Sequence, residues 1–423
     1  MKEYNADLQM HGIYAGGVSK NMLIPIMANQ ARLKGLDVLV TADVFHAKWM
    51  EHLKQNITET ENNVFMDKAE KTFFIVGGEV EDNKRVHHLI YLPDFSAAEQ
   101  LREKLRGFGS LDCIMCGRPK LRLSAESIAE KVDEVGGIIG PAHSFTPYTG
   151  MYAHWNSVKE AYGAMAGKIF FIELGLSADS YFADLIEENH KYSFLSSSDA
   201  HSPWPNRIGR EFNRIKMNKP SFGNLVKALK EHEEKFITLN AGLDPREGKY
   251  HRTACNSCFA KYSVQQAERF KWKCVACKGE IKKGVKDRIL ELATFSSETH
   301  PSFRPNYLHL LPLAEIIQIA FDVKQVNSQK VQSSWKDLVE RFGNEINVLV
   351  DVPVIEIAEI DKIIAQKIEA FRNGFVLYDA GGGGKYGTPF ICNSAEEFER
   401  KNMEMENAGK ENEIKNQRTL KEY

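Results

Sequence analysis

Asp199 and His201 stand two residues apart in the stretch 194–210, FLSSSDAHSPWPNRIGR, just after an apolar, β-prone run. Alternate side chains of an extended segment share a face, so the carboxylate and the imidazole point the same way. That pair at a strand's end suits a divalent metal. One Asp-x-His is a weak signal, because loop residues often pair this way through an ordinary hydrogen bond. The same residue types recur at matching places. Asp7, Gln9 and His11 alternate on one face of a short opening strand. Asp43, Glu79, His143 and Glu173 each stand at or just past the end of an apolar, strand-like run, at 36–42, 73–77, 137–140 and 168–172.

Those residues need a scaffold. Helical spacing predicts helices over 20–34, 97–105, 124–135 with Ser124 as N-cap, 179–189 and 222–230,. Further strands are expected at 86–92, which carries His87 and His88, at 192–197 and at 236–239. Repeated strand–helix units argue for an α/β fold with a parallel sheet, and this many of them for a closed barrel. In a β/α barrel the C-terminal rim of the strands is where chemistry is assembled. Each residue alone reads best as a cap or loop residue. Six of them on one rim, Asp43, Glu79, His143, Glu173, Asp199 and His201, read better as a metal site. Mixed Asp, Glu and His ligation suits Zn²⁺, Mn²⁺ or Fe²⁺ over an all-oxygen Mg²⁺ or Ca²⁺ site. Two or three ions about 4 Å apart activate a water and stabilise the leaving oxygen of a phosphoryl displacement. Arg207 and Arg210 are placed to hold phosphate oxygens; the plainer reading is a solvated helix face.

A second constellation lies in the middle. Cys255-x2-Cys258 and Cys274-x2-Cys277 have the spacing of a four-thiolate structural zinc site,. Between Pro245 and Arg288 there are twelve Lys/Arg and four Asp/Glu, 12 − 4 = +8. Phe259, Tyr262, Phe270 and Trp272 are interleaved with those charges. Exposed, they would suit a phosphate backbone and unstacked bases; packed around the metal, they would be core. Cys113 and Cys116 have no partner pair nearby and are expected to be incidental thiols.

A chain of 423 residues exceeds one compact core,. The expected division is a barrel over 1–240, a zinc module over 241–300, a small helical domain over 301–374 and a β-containing segment from 375 to 423. Helices are predicted over 312–322, 331–342 and 360–372. Gly381–Gly384 with Lys385 and Tyr386 reads as a flexible hairpin tip, or as backbone able to approach a phosphate. Residues 396–423 read as a frayed helix or disordered tail. No long apolar run predicts a membrane span, the first residues lack the apolar core of a signal peptide, and Cys-x-x-Cys usage favours metal over disulfides. A cytoplasmic location is expected. The net charge of −2 makes any basic surface a local one.

The residues at 7–11, Asp43, Glu79, His143 and SDAH at 198–201 resemble the motifs of PHP-domain phosphoesterases, which implies a distorted (β/α)7 barrel with a trinuclear metal centre. Gln9-Met10-His11 replaces the family's usual His-x-His, and Val44 follows Asp43 where a His is frequent. GLDPREGKYHRTAC at 242–255, the four cysteines, RPNYLHLLPLAEII at 304–317 and GGGGKYGT at 381–388 narrow the likeness. Over nearly its whole length the chain resembles the endonuclease Q family of DNA-repair enzymes. The resemblance implies cleavage on the 5′ side of a deaminated base such as uracil or hypoxanthine, or of an abasic site, in double- or single-stranded DNA. His11, Glu79, His143, Asp199 and His201 are the expected metal ligands, with Asp7, Gln9, Asp43 and Glu173 as weaker ones. Asp199 and Arg210 are the expected catalytic pair. Arg207, Arg210, Lys249, Tyr250, His251, Lys385 and Tyr386 are expected at the nucleic acid. Structural Zn²⁺, a rim cluster of Zn²⁺, Mn²⁺ or Fe²⁺, and Mg²⁺ for activity are the implied cofactors; a sliding clamp is a partner that sequence does not derive. Two other readings stay open: a small-molecule phosphoesterase, and a damage-binding protein silenced by Gln9.

Overall fold

In the computed structural model, residues 1–61, 63–69, 71–405 and 407 are described. They form two compact units: Met1–Pro312 with Ala380–Gly387, and Leu313–Asp379 with the chain from Thr388.

The first unit carries β1 (Lys2–Asp7), β2 (Val38–Val40), β3 (Ile57–Glu61), β4 (Val64–Asp67), β5 (Phe73–Ile75), β6 (Gly77–Glu81), β7 (His87–Tyr91), β8 (Ile138–Pro141), β9 (Phe171–Glu173), β10 (Ser193–Leu195), β11 (Phe212–Met217), β12 (Ile237–Gly242), β13 (Ala254–Cys255), β14 (Ile281–Lys282) and β15 (Tyr307–His309). β1, β2 and β5 pair in parallel. β5 runs on through Val76 into β6, and β9 and β10 are parallel neighbours. Side-chain amides bridge the return from β10 to β11. Asn213 on β11 donates to Ser196 O at 2.8 Å and accepts from Ser196 N at 2.9 Å. Asn240 on β12 donates to Phe194 O at 2.9 Å. Both amides are buried, so each takes over hydrogen bonds the missing ladder would leave unmade,.

The sheet is not uniformly parallel as the strand–helix repeat predicted. β1 pairs antiparallel with β11, and β6, β7 and β8 are antiparallel in sequence. The reason at β6–β7 is the connection: residues 82–86 are too few for a crossover. Asp82 Oδ1 folds them back by accepting from Lys84 N and Val86 N,. The hairpin β3–β4 and strand β11 were not anticipated. The helices Ile24–Lys34, Ala125–Asp133 with Ser124 as cap, and Phe222–Lys230 match expectation. The helix expected over 179–189 is instead Ser180–Ala183 followed by a 3-10 turn, Glu187–Lys191. Two polar residues draw the chain inward there: Asp184 takes the Arg304 guanidinium, and Asn189 Oδ1 accepts from Tyr152 Oη at 2.6 Å. Cys113 and Cys116 are joined as a disulfide and so are not free thiols; the loop brings their Cα atoms within 5.0 Å,.

In the second unit the helices Leu313–Ala320, Gln329–Phe342 and Lys362–Arg372 form as predicted, with an additional short helix, Val354–Ala358. Buried Glu345 ties two of them, accepting from Leu313 N at 3.0 Å and Trp335 Nε1 at 2.6 Å. β16 (Val376–Asp379) and β17 (Thr388–Ile391) form a hairpin. Residues 395–405 are helical; the tail expected over 396–423 lies outside the described residues from 408 on. Among the described residues no helix is long and apolar enough to cross a membrane.

Candidate metal centre and nucleic-acid cleft

Two groups of metal-ligating atoms meet at the rim: Glu79, His87 and His143, and His11, Asp199 and His201. Glu79, on β6, joins them. Its Oε1 lies 2.8 Å from His87 Nδ1 and 3.2 Å from His143 Nε2. Its Oε2 lies 2.9 Å from His11 Nε2 and 3.4 Å from Arg118 Nη1. His87 Nδ1 and His143 Nε2 are themselves 3.1 Å apart. Asp43 holds the far side of the His11 ring, with Oδ1 3.0 Å from Nδ1, while Asp43 Oδ2 accepts from Gly12 N. A carboxylate behind a ligating imidazole fixes its tautomer and orientation. Asp43, His143 and Asp199 all have left-handed backbones, φ 31°, 28° and 47°. Such conformations cost energy in non-glycine residues and cluster where side chains must be aimed.

Burial pushes the Glu79 carboxyl up, but His87, Arg118, His11 and His143 hold it well below the usual carboxylate range. Burial opposes charge on His11 as well, yet Asp199, Asp43 and Glu79 raise its pKa well above the ordinary value. Asp199 is held down by His11 and His201 against the effect of burial. This is a set of buried anions balanced by imidazolium protons, the arrangement a cation replaces when it binds and releases those protons. The donor chemistry fits: His11 Nε2 faces two carboxylate oxygens, Glu79 Oε2 at 2.9 Å and Asp199 Oδ1 at 3.3 Å.

The other expected ligands are engaged elsewhere. Asp7 Oδ1 accepts from Ser198 N at 3.0 Å and Oδ2 from Gly209 N at 2.9 Å, pinning both ends of the loop that carries Asp199. Burial pushes its pKa up to about 6. The Gln9 amide, oriented with its nitrogen toward Glu173, donates to Oε1 at 2.9 Å and Oε2 at 2.6 Å. Glu173 Oε2 also accepts from His143 N. Asp7, Gln9, Asp43 and Glu173 thus stand beside the two groups, holding their loops and rings through these hydrogen bonds. His87 was passed over because the C-terminal-rim rule presumes parallel strands. β7 runs antiparallel, so its first residue, not its last, reaches the rim.

His87, His143, Asp199 and His201 line a cleft of about 740 Å³, with Arg85, Arg118, Arg207, Arg210 and Lys249 and the aromatic rings of Tyr148, Tyr250 and Tyr386. Arg210 is partly committed, donating from Nε and Nη2 to Ser198 O at 3.1 and 3.0 Å. His251 is absent from this cleft: it is buried and lines a separate cavity of about 410 Å³. Lys385 does not line the cleft either. The glycine loop offers no free cradle, since Gly381 N, Gly382 N and Gly384 N donate to Arg246 O, Lys385 O and Lys249 O. The fold instead uses the loop to seat Tyr386.

The sulfurs of Cys255, Cys258, Cys274 and Cys277 all lie within 4.8 Å of one another. Tyr262, Ala267 and Ile281 pack with Cys255 and Cys274 into a small core, and Phe270 and Trp272 lean on it. Three of the four aromatics expected to meet bases thus pack around the sulfur cluster. Phe259 stays exposed.

Residues 312–375 match the MJ0043 C-terminal domain family. Methanocaldococcus jannaschii MJ0043 is 42% identical over 256 residues, 59% of this chain but 32% of that protein, so the chain spans about a third of that relative's length. Bacillus subtilis YqxK is 28% identical over 408 residues, 92% of this chain and 99% of that one. The crystal structure of the lesion-specific endonuclease PfuEndoQ from Pyrococcus furiosus superposes with TM-score 0.86 at 44% identity, covering 92% of this chain and 96% of that one. The chain belongs to the endonuclease Q family. Endonuclease Q complexed with a 27-mer duplex substrate carrying an abasic lesion at the active site is equally similar, with TM-score 0.86 and 44% identity. Family members of this kind are hydrolases acting on DNA.

Proposed function

We propose that this chain is a metal-dependent endonuclease of DNA repair that hydrolyses the phosphodiester on the 5′ side of a deaminated base, such as uracil or hypoxanthine, or of an abasic site. The observation that carries the reading is Glu79, whose two oxygens face two ligand groups, with His87, His143, Asp199 and His201 of those groups lining one arginine-rich cleft. Kinship to an endonuclease Q solved with an abasic duplex supports DNA as the substrate.

His11, Glu79, His87, His143, Asp199 and His201 hold divalent cations, and Cys255, Cys258, Cys274 and Cys277 hold zinc. When bound, the rim cations supply Lewis acidity to the phosphoryl oxygens and lower the pKa of a water. Arg118 and Arg207 bind non-bridging phosphate oxygens, and Lys249 holds the neighbouring phosphate. Asp199, kept ionised by His11 and His201, orients the attacking water by accepting its hydrogen bond,. A cleft of this size admits one nucleotide turned out of the duplex. The test is incubation with Mn²⁺ or Mg²⁺ and a duplex carrying one uracil or one abasic residue. A nick on the 5′ side is expected, and an intact strand at high protein would refute the reading. The Gln9–Glu173 pair favours a damage-binding protein silenced at Gln9 as the second reading; lesion binding without cleavage in that assay, with nicking gained in Gln9→His, would select it.

A further inference from the structure

Tyr148 lines the cleft with His143 and Asp199. Its backbone sits at φ 77°, a left-handed conformation that bulky residues rarely adopt,. Strain of this kind persists only where surrounding contacts over-determine it. Here the contacts come from the four-cysteine module. Tyr148 Oη accepts a hydrogen bond from Asn256 Nδ2 at 3.0 Å, and Asn256 follows Cys255 directly. The Lys282 ammonium lies 3.7 Å from the Tyr148 ring centroid, and Lys282 sits on β14, paired to the strand that carries Cys255. Tyr250 meets the same ring edge-on at 6.1 Å. The ring is only half-buried. The module therefore fixes an aromatic surface beside the metal-ligating residues.

We propose that Tyr148 stacks on the base of the nucleotide drawn into the cleft, and that the four-cysteine module acts as its positioning element through Asn256. This rests on the endonuclease reading above. Every base has a π face, so stacking separates a nucleotide that has a base from an abasic one without telling bases apart.

The experiment compares two duplexes that differ only in carrying one uracil or one tetrahydrofuran residue. Tyr148→Ala is expected to lower kcat/KM on the uracil duplex about 5–100-fold while the abasic duplex changes less than about twofold. Tyr148→Phe and Asn256→Ala keep the ring but remove its hydrogen bond to the module, and lower the uracil-to-abasic ratio by a smaller factor, about 2–10-fold. Their double variant is no worse than either single, since both remove one bond. Zinc content stays at one per chain throughout. Equal losses on both duplexes, or no loss, overturn the assignment. Should Tyr148→Ala melt below the assay temperature, the ratios of Tyr148→Phe and Asn256→Ala decide: a changed ratio upholds the role and an unchanged one overturns it. Should the wild type nick neither duplex, the endonuclease reading fails instead, and equilibrium binding decides. A preference for the uracil duplex that Tyr148→Ala abolishes upholds stacking; no preference in the wild type overturns it.

Discussion

The Gln9 amide donates to both carboxylate oxygens of Glu173, at 2.9 and 2.6 Å. Both residues are buried, and burial raises the Glu173 pKa well above the carboxylate range. Gln9 therefore satisfies a group that in turn holds the backbone of His143. Gln9→Ala should destabilise the first unit by about 1–3 kcal/mol, since it leaves a buried acceptor unpaired. Urea denaturation at pH 7 would read this; a change under about 0.5 kcal/mol would show that the pair is dispensable.

Glu79 touches ligating atoms of both groups, so Glu79→Gln should abolish metal-dependent nicking. His87→Ala should match His143→Ala, because both rings face the same Glu79 oxygen. Asp43→Asn, which weakens the hold on the His11 ring, should lose roughly 10–100-fold,. Metal content beside nicking rate checks this. A His87→Ala protein with wild-type metal content would remove His87 from the site.

Glu211 is fully buried and its Oε2 has no partner. Burial pushes its pKa up to about 8 from the ordinary 4.5. The unfolded chain ionises near 4.5, the folded one near 8, so this group's contribution is intact below about 4.5 and stability is lost as pH rises towards 8. Glu211→Gln removes that loss, on the order of 3 kcal/mol at pH 7. Melting curves at pH 5 and pH 8 should show an advantage of the variant several times larger at pH 8 than at pH 5. An equal shift at both would mean the carboxyl stays ionised throughout.

Arg207 and Lys249 line the cleft from loops far apart in sequence. If each contacts one phosphate, Arg207→Ala and Lys249→Ala should weaken binding to lesion and plain duplex alike, and each should reduce the slope of log K against log salt by about 1. An unchanged slope would place both side chains off the backbone.

Chelation separates the two metal sites. Removing the rim cations should stop nicking and leave the melting temperature of the four-cysteine module unchanged. Cys274→Ser should lose zinc and unfold that module, since thiolate ligation supplies its folding energy. Zinc release on thiol titration, followed with melting, checks both. A Cys274→Ser variant that keeps zinc would contradict a four-thiolate site.

Chain-local chemistry was legible in the sequence. Apolar periodicity located the helix Phe222–Lys230, Ser124 marked a cap, and the Cys-x-x-Cys spacing drew four sulfurs together, because each depends on residues near one another along the chain. Asp199 and His201 were visible for the same reason. Strand direction, by contrast, belongs to the tertiary structure. It brought His87 to the rim from the start of β7, a position no single-strand rule marks. The partners of the buried carboxyls were equally invisible: Asp7 accepts from two backbone amides and Glu173 faces Gln9. Whether an acidic residue holds a cation or a loop depends on which donors fold against it, and those donors lie up to two hundred residues away.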